Sequence, residues 1–234
     1  MAALEPGTLV AGAWRYRLTK TDVLWAARMV EGETLNRQDR GDDALAVLWT
    51  MTSLFAPDGQ RAKYGGRRFV TFTDQVRAYS QPINPRWLAE GEFCRPGGRS
   101  YATDACADAR LAARARLQRT AWKELDPLLR RVVIAWALGR TQNPVPGAIE
   151  FAAANVAASF IARNAGSVEV ARIHNTFVAT PASRRATTTA TVQAATSTSS
   201  VPIIALAAIT GVGIAAIIAR RTPHGVAWSP ATSR

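Results

Sequence analysis

The sequence is poor in the residues that most often bind metal or attack substrates. Its 234 residues include two cysteines, Cys94 and Cys106, and two histidines, His174 and His224. These four show no tetrahedral spacing, so no zinc site, metal or cofactor is expected. The cysteines lie in a Gly/Arg/Ser-rich stretch, FCRPGGRSYATDAC. That stretch suits either two free thiols or a small-loop disulfide worth roughly 2–3 kcal/mol. Lysine is scarce, with Lys20, Lys63 and Lys123 only. Acid is absent from residues 181–234, which carry five arginines. The N-terminus lacks a basic start followed by an apolar run, and Glu5 and Pro6 interrupt it, so it does not read as a secretory signal. No helix-turn-helix signature, zinc-finger spacing or aromatic RNP motif is found, and nucleic acid is not an expected partner.

Positive charge is abundant. The formal net charge is +12, and the first 180 residues alone carry +7. Such a surface favours polyanions, including anionic lipid and anionic cell-wall polymers.

The stretch Asp22–Thr34, DVLWAARMVEGET, reads as an amphipathic helix with a carboxylate on its apolar side. Advancing 100° per residue from Glu33 places Ala26 at about 20°, Met29 at about −40° and Val30 at about 60°. Glu33 thus lies within the core-facing stripe, whereas Glu31, at about 160°, looks solvated. Burial and the negative end of the helix dipole both disfavour the charged form of Glu33. A carboxylic acid kept protonated can serve as a general acid. A Glu that ends a core helix and snorkels to water fits the same pattern.

Residues 1–20 read as an irregular or partly extended lead-in, and Asp22 as the cap of the first helix. A second helix is expected at about Asp43–Phe55, and a basic, glycine-containing loop over 56–70. Thr71–Tyr79 is a short helix opened by Thr73 or Asp74. Pro82 and Pro85 then hold residues 80–87 extended, presenting Gln81 and Asn84 amides and an aromatic ring. That arrangement suits sugar binding or a plain rigid connector. Ala105–Trp122 is a long helix whose arginines, Arg114 among them, form a solvated face. Asp126-Pro127 opens another helix, stopped by Gly139. Arg140–Gly147 is a turn-rich loop. Residues 148–165 are a helix, or a strand followed by a helix, and residues 168–180 a hairpin or extended closing segment.

Beyond residue 180 the character changes. Residues 181–200 are mostly Ala, Thr and Ser and read as a flexible linker. Residues 201–219 carry no charge, and 19 helical residues would reach about 28 Å, close to bilayer thickness. A membrane span is expected there, with the basic tail 220–234 on the cytoplasmic side. A buried hairpin and a sticky apolar tail of a soluble protein are the other readings of that run. The expected fold class is a mainly α domain with a short β element plus a C-terminal transmembrane helix.

The order of these pieces resembles the SleB-like cell-wall hydrolases. The family's AR-x-V-x-x-E motif reads here as Ala27-Arg28-Met29-Val30-Glu31-Gly32-Glu33, and its G-x-x-A-V start as Gly41-Asp42-Asp43-Ala44-Leu45-Ala46-Val47. Tyr79-Ser80-Gln81-Pro82 falls at the family's aromatic-Ser segment. Asn143-Pro144-Val145-Pro146-Gly147-Ala148 resembles its DPTGGA loop, and Ile173-His174-Asn175-Thr176-Phe177 its H-x-F closing segment. Departures are Thr34 after the motif glutamate, Asn143 for Asp, and Asn175 where a histidine is usual.

The resemblance covers about residues 20–180 and implies a lysozyme-like helical domain over 21–180. It implies peptidoglycan as substrate, cleavage of the MurNAc–GlcNAc bond by a lytic transglycosylase or muramidase, and Glu33 as the catalytic acid. Tyr79, Gln81, Asn84 and Asn143 are the expected sugar contacts. No second carboxylate stands out; Asp42, Asp43 and Glu150 are candidates by position only. The expected setting is a single-pass anchor in the lipid bilayer through residues 201–219, in a bacterial envelope or a phage virion, with the catalytic domain facing the wall. Two other classes fit the sequence: a non-catalytic wall-binding structural protein, and a membrane-perturbing protein acting through residues 201–219.

Overall fold

The first element among the described residues is a hairpin, Thr8–Ala11 (β1) and Trp14–Arg17 (β2), where an irregular or partly extended lead-in was expected. Gly12, at φ 59°, makes its turn. The computed structural model describes residues 5–34, 38–87, 107–185 and 190–194. All of them lie in the first of two compact units, Met1–Thr196.

The first helix, Lys20–Glu33 (α1), is capped by Thr19 rather than Asp22. The Thr19 hydroxyl accepts the Asp22 N–H at 3.1 Å, and the Asp22 carboxylate accepts the Thr19 N–H at 2.9 Å, a reciprocal capping box. Asp22 is buried and also accepts the Tyr16 hydroxyl at 3.0 Å and the Thr73 N–H at 2.9 Å. One carboxylate therefore ties the hairpin to both α1 and the later helix that carries Thr73.

The second helix, Arg40–Phe55 (α2), starts three residues before the expected Asp43. Residues expected as loop form a third helix, Pro57–Tyr64 (α3). Its signals are Pro57 at the first position and Gly65 at φ 75° at the end, not apolar periodicity. A Cβ on Gly59 would overlap the Ser53 carbonyl oxygen, so glycine lets α3 pack onto the end of α2. Phe72–Tyr79 (α4) is capped by the Thr71 hydroxyl. Residues 81–83 and 85–87 are 3-10 turns, not extended chain: each proline sits early in its own turn, where its fixed φ is accommodated.

Asp108–Arg119 (α5) and Pro127–Ala137 (α6) follow. Asp126 caps α6, accepting the N–H groups of Leu128 and Leu129 at 2.7 and 3.2 Å. The core lies among α1, α2, α4 and α6. Met29, Leu48, Met51, Phe55, Phe72 and Trp136 are fully buried in it, each contributing about 1.5–3 kcal/mol by leaving water. The Trp136 indole N–H donates to Thr52 at 3.1 Å, so the buried ring keeps a partner.

Glu150–Ala152 (β3), Ala154–Arg163 (α7), Val168–Arg172 (β4) and Thr176–Ala179 (β5) come next. Residues 148–165 thus include a strand followed by a helix, and 168–179 form a hairpin. The three strands make an antiparallel sheet in the order β3-β5-β4.

The expected linker 181–200 is in part regular structure. Pro181–Arg185 (α8) is helical, and Thr191–Gln193 (β6) adds to the hairpin in the order β2-β1-β6, with Val192 opposite Leu9. Backbone fit makes this specific. A Cβ on Gly7 would overlap the Gln193 carbonyl oxygen, and one on Gly139, at φ 68°, would overlap that of Val192.

The expected fold class needs a correction. The described residues are mainly helical with two small sheets, but no helix among them is long and apolar enough to cross a membrane. The longest among them, α2, has 16 residues, or about 24 Å against the roughly 30 Å of a hydrocarbon core. The expected span at 201–219 lies outside the described residues, as do Cys94 and Cys106.

Candidate functional site around Glu33

Glu33 is the last residue of α1 and half-buried. Its Oε1 accepts the Ser80 hydroxyl at 2.7 Å. Two features bring them together. Thr34 caps the helix end, its N–H on the Val30 carbonyl, while its buried hydroxyl also donates to Val30. Gly32, just before Glu33, lets residues 81–83 and Leu117 of α5 come close: a Cβ there would overlap Pro82 and lie 2.8 Å from Leu117 Cδ2.

Tyr79 precedes Ser80 and serves a second carboxylate. Its hydroxyl donates to Glu150 Oε2 at 2.6 Å, while Lys63 Nζ pairs with Glu150 Oε1. Burial pushes the Tyr79 phenol well above its ordinary range, with smaller upward contributions from Tyr64 and Glu33. Burial lowers Lys63. Adjacent residues of one helix end therefore hold two acids: Ser80 holds Glu33, and Tyr79 holds Glu150.

Arg114, expected on a solvated face, is only 7 % exposed. Burial lowers its pKa, Arg110 lowers it further, and the charge of Glu33 raises it. The guanidinium and the carboxylate thus sense each other. Glu31 is not solvated either. It pairs with Arg40 at 3.2 Å and accepts the Asp126 N–H at 3.0 Å, while Arg40 bridges to Asp126 at 2.7 Å. Glu31 joins α1 to α2 and α6, and Glu33 faces the α4 end.

The other candidate acids differ. Asp43 is fully buried and accepts both the backbone N–H and the side-chain amide of Asn175 at 2.9 Å. The residue standing at the family's histidine position thus anchors the β4–β5 turn to the start of α2. Asp42 is exposed.

The expected sugar contacts separate. Gln81 is exposed and close in sequence to Ser80. The Tyr79 hydroxyl is occupied by Glu150. Asn84 is buried; its amide donates to the Ala78 carbonyl and its oxygen accepts the Arg86 N–H. Asn143 Oδ1 accepts the Val145 N–H, and its buried Nδ2 has no hydrogen bond among the described residues. Sequence reasoning did not single out Ser80 or Lys63. Ser80 was visible only as a motif position, and Lys63 only as one of three lysines. Among the described residues no three His, Cys, Asp or Glu side chains are grouped to hold a metal.

Comparison with protein-family models, curated proteins and solved structures gives no match. The resemblance to the SleB-like hydrolases rests on the motif residues alone.

Proposed function

We propose that this chain is a peptidoglycan-cleaving enzyme, a lytic transglycosylase or muramidase, with Glu33 as general acid and base. The observation that carries the reading is the 2.7 Å hydrogen bond from Ser80 to Glu33. It joins two stretches, Ala27–Glu33 and Tyr79–Pro82, that the motif reading treated separately. The Ser80 hydroxyl fixes one oxygen of the carboxyl group.

Glu33 protonates the glycosidic oxygen as the bond to the MurNAc anomeric carbon breaks. Asp43 and Glu150 are both engaged internally, so neither is disposed to act as a nucleophile. The substrate's own acetamido oxygen stabilises the anomeric carbon. The Glu33 carboxylate then takes the proton of the MurNAc 6-hydroxyl, whose oxygen closes on that carbon. The product is an anhydro sugar, and the proton count is restored. This favours the transglycosylase outcome over hydrolysis.

A non-catalytic wall-binding protein is the second reading. It is favoured by the departures of the later motifs, Asn143 for Asp and Asn175 where a histidine is usual. The test is mass spectrometry of fragments released from purified peptidoglycan by the full chain, with Glu33→Gln in parallel. Anhydro-MurNAc ends from the wild type, lost in a variant of equal thermal midpoint, are expected. Reducing ends would make the enzyme a hydrolase. No fragments from folded protein on several wall types would overturn the enzymatic reading.

A further inference from the structure

A cleft of about 310 Å³ opens beside α4, lined by Arg68, Phe69, Asp74, Arg77, Asn84 and Arg86 among others. Its charged lining is three arginines against one aspartate. Asp74 is already engaged with the Thr71 hydroxyl at 2.6 Å. Neither Arg68 nor Arg77 has a carboxylate within ion-pair distance among the described residues.

Aromatic faces position both guanidinium groups instead. Arg77 stacks on Trp25 at 4.4 Å from the ring centroid, and Arg28 stacks on the same ring at 4.5 Å. Arg68 lies 5.3 Å from the Tyr64 ring centroid and 5.5 Å from that of Phe69. Stacking immobilises a guanidinium while leaving its N–H edge open to an acceptor. The Arg77 Nε–H is buried and makes no hydrogen bond among the described residues. A buried donor with no partner is uncommon and marks a place for an acceptor. The crowding of positive charge is felt locally: burial and, next, the charge of Arg77 lower the pKa of Arg28.

We propose that this cleft binds a phosphate group, held by the guanidinium forks of Arg77 and Arg68. Planar guanidinium forks match the several oxygens of a tetrahedral anion. The cleft is at the lower end of small-ligand pocket size, so it admits a phosphate together with its substituent. The phosphate comes either as a free small molecule or as a unit of an anionic phosphodiester polymer. Glu33 does not line the cleft, so binding does not depend on the cleavage reaction.

The test is calorimetric titration of the full chain with inorganic phosphate, pyrophosphate and a glycerol-phosphate oligomer at constant ionic strength. Arg77→Gln and Arg68→Gln are the perturbations. Arg131→Gln, exposed on α6, is the control, and thermal midpoints report folding. One-to-one saturable binding is expected, weakened about tenfold or more by either cleft variant and unchanged by the control. Tighter binding of the oligomer identifies a polymer as the source, and equal or tighter binding of the small anions a free phosphate. Should Arg77→Gln fail to fold, the exposed Arg68 carries the test alone. Non-saturable binding, or equal loss in Arg131→Gln, would overturn the proposal in favour of diffuse charge attraction. Glu33→Gln retains phosphate binding on this account, so failure here and failure of the cleavage reading are distinguishable.

Discussion

Gly32→Ala separates local helix propensity from the packing that builds the Glu33 site. Inside a helix, replacing glycine by alanine stabilises by about 1 kcal/mol. The geometry at Gly32 opposes that gain. The new Cβ would overlap the Pro82 Cβ, a ring atom fixed to the backbone, and lie 2.8 Å from Leu117 Cδ2. The leucine end can rotate away; the proline ring moves only with its turn. Overpacking of this kind costs about 1–3 kcal/mol, so the expected net loss is up to about 2 kcal/mol after the propensity gain. Urea unfolding should show a lower midpoint with an unchanged slope. The displaced turn starts one residue after Ser80, so the 2.7 Å bond to Glu33 is disturbed as well. Peptidoglycan cleavage should therefore fall further than the folded fraction does. A variant more stable than wild type, with undiminished cleavage, would refute the close approach of α1, α5 and the Pro82 turn.

Three further outcomes follow from the same contacts. Asp43→Ala and Asn175→Ala, singly and together, should show a coupling of roughly 0.5–3 kcal/mol in a double-mutant cycle, since the Asn175 side-chain amide and the Asp43 carboxylate share a buried hydrogen bond; additive losses would remove the Asn175 side chain as the anchor of the β4–β5 turn. A chain ending at residue 180 loses β6, α8 and the Ser183 hydroxyl bond to the Gly147 carbonyl at 2.9 Å and should melt several degrees below one ending at residue 196, about 2–4 °C per kcal/mol for a domain of this size; equal midpoints would contradict the β1–β6 pairing. Burial pushes the Tyr16 phenol from its ordinary 10 up to about 12, so the unfolded chain releases this proton first and the contribution to stability, full below pH 10, is lost between pH 10 and 12; Tyr16→Phe should lose less stability than the wild type across that window in denaturant titrations, and identical slopes would contradict the burial of this ring against Asp22 and Phe72.

What could be read in advance followed from local rules. The start of α6 was legible because Asp-Pro is a cap signal independent of tertiary contact, and the Glu33 stripe because a 14-residue helix repeats its pattern enough times. Glu31 and Arg114 were misjudged for one reason. A helical wheel assigns polar residues to water, but here their partners, Arg40 and Asp126 for Glu31 and Glu33 for Arg114, arrive from distant segments. α3 was missed because it has little apolar periodicity and depends on Pro57, Gly65 and the Gly59 contact to exist. β6 was hidden by composition: an Ala/Thr-rich run reads as linker until Leu9 and Val192 meet across the sheet.

The segment from Ala78 to Arg86 explains why one small region bears on both inferences. Ser80 turns toward Glu33, Tyr79 toward Glu150, and Ala78, Asn84 and Arg86 border the arginine-lined cleft. Asn84 welds these together, its amide on the Ala78 carbonyl, its oxygen on the Arg86 N–H and its own N–H on the Ser80 carbonyl. These three bonds fix the spacing between Ser80, which holds the acid, and the residues that border the cleft. Shortening Asn84 to alanine would free both ends of the segment at once, whereas Glu33→Gln and Arg77→Gln each touch one side. A defect of Asn84→Ala in cleavage and phosphate binding together, beside single defects in the other two, is the pattern that a shared scaffold requires.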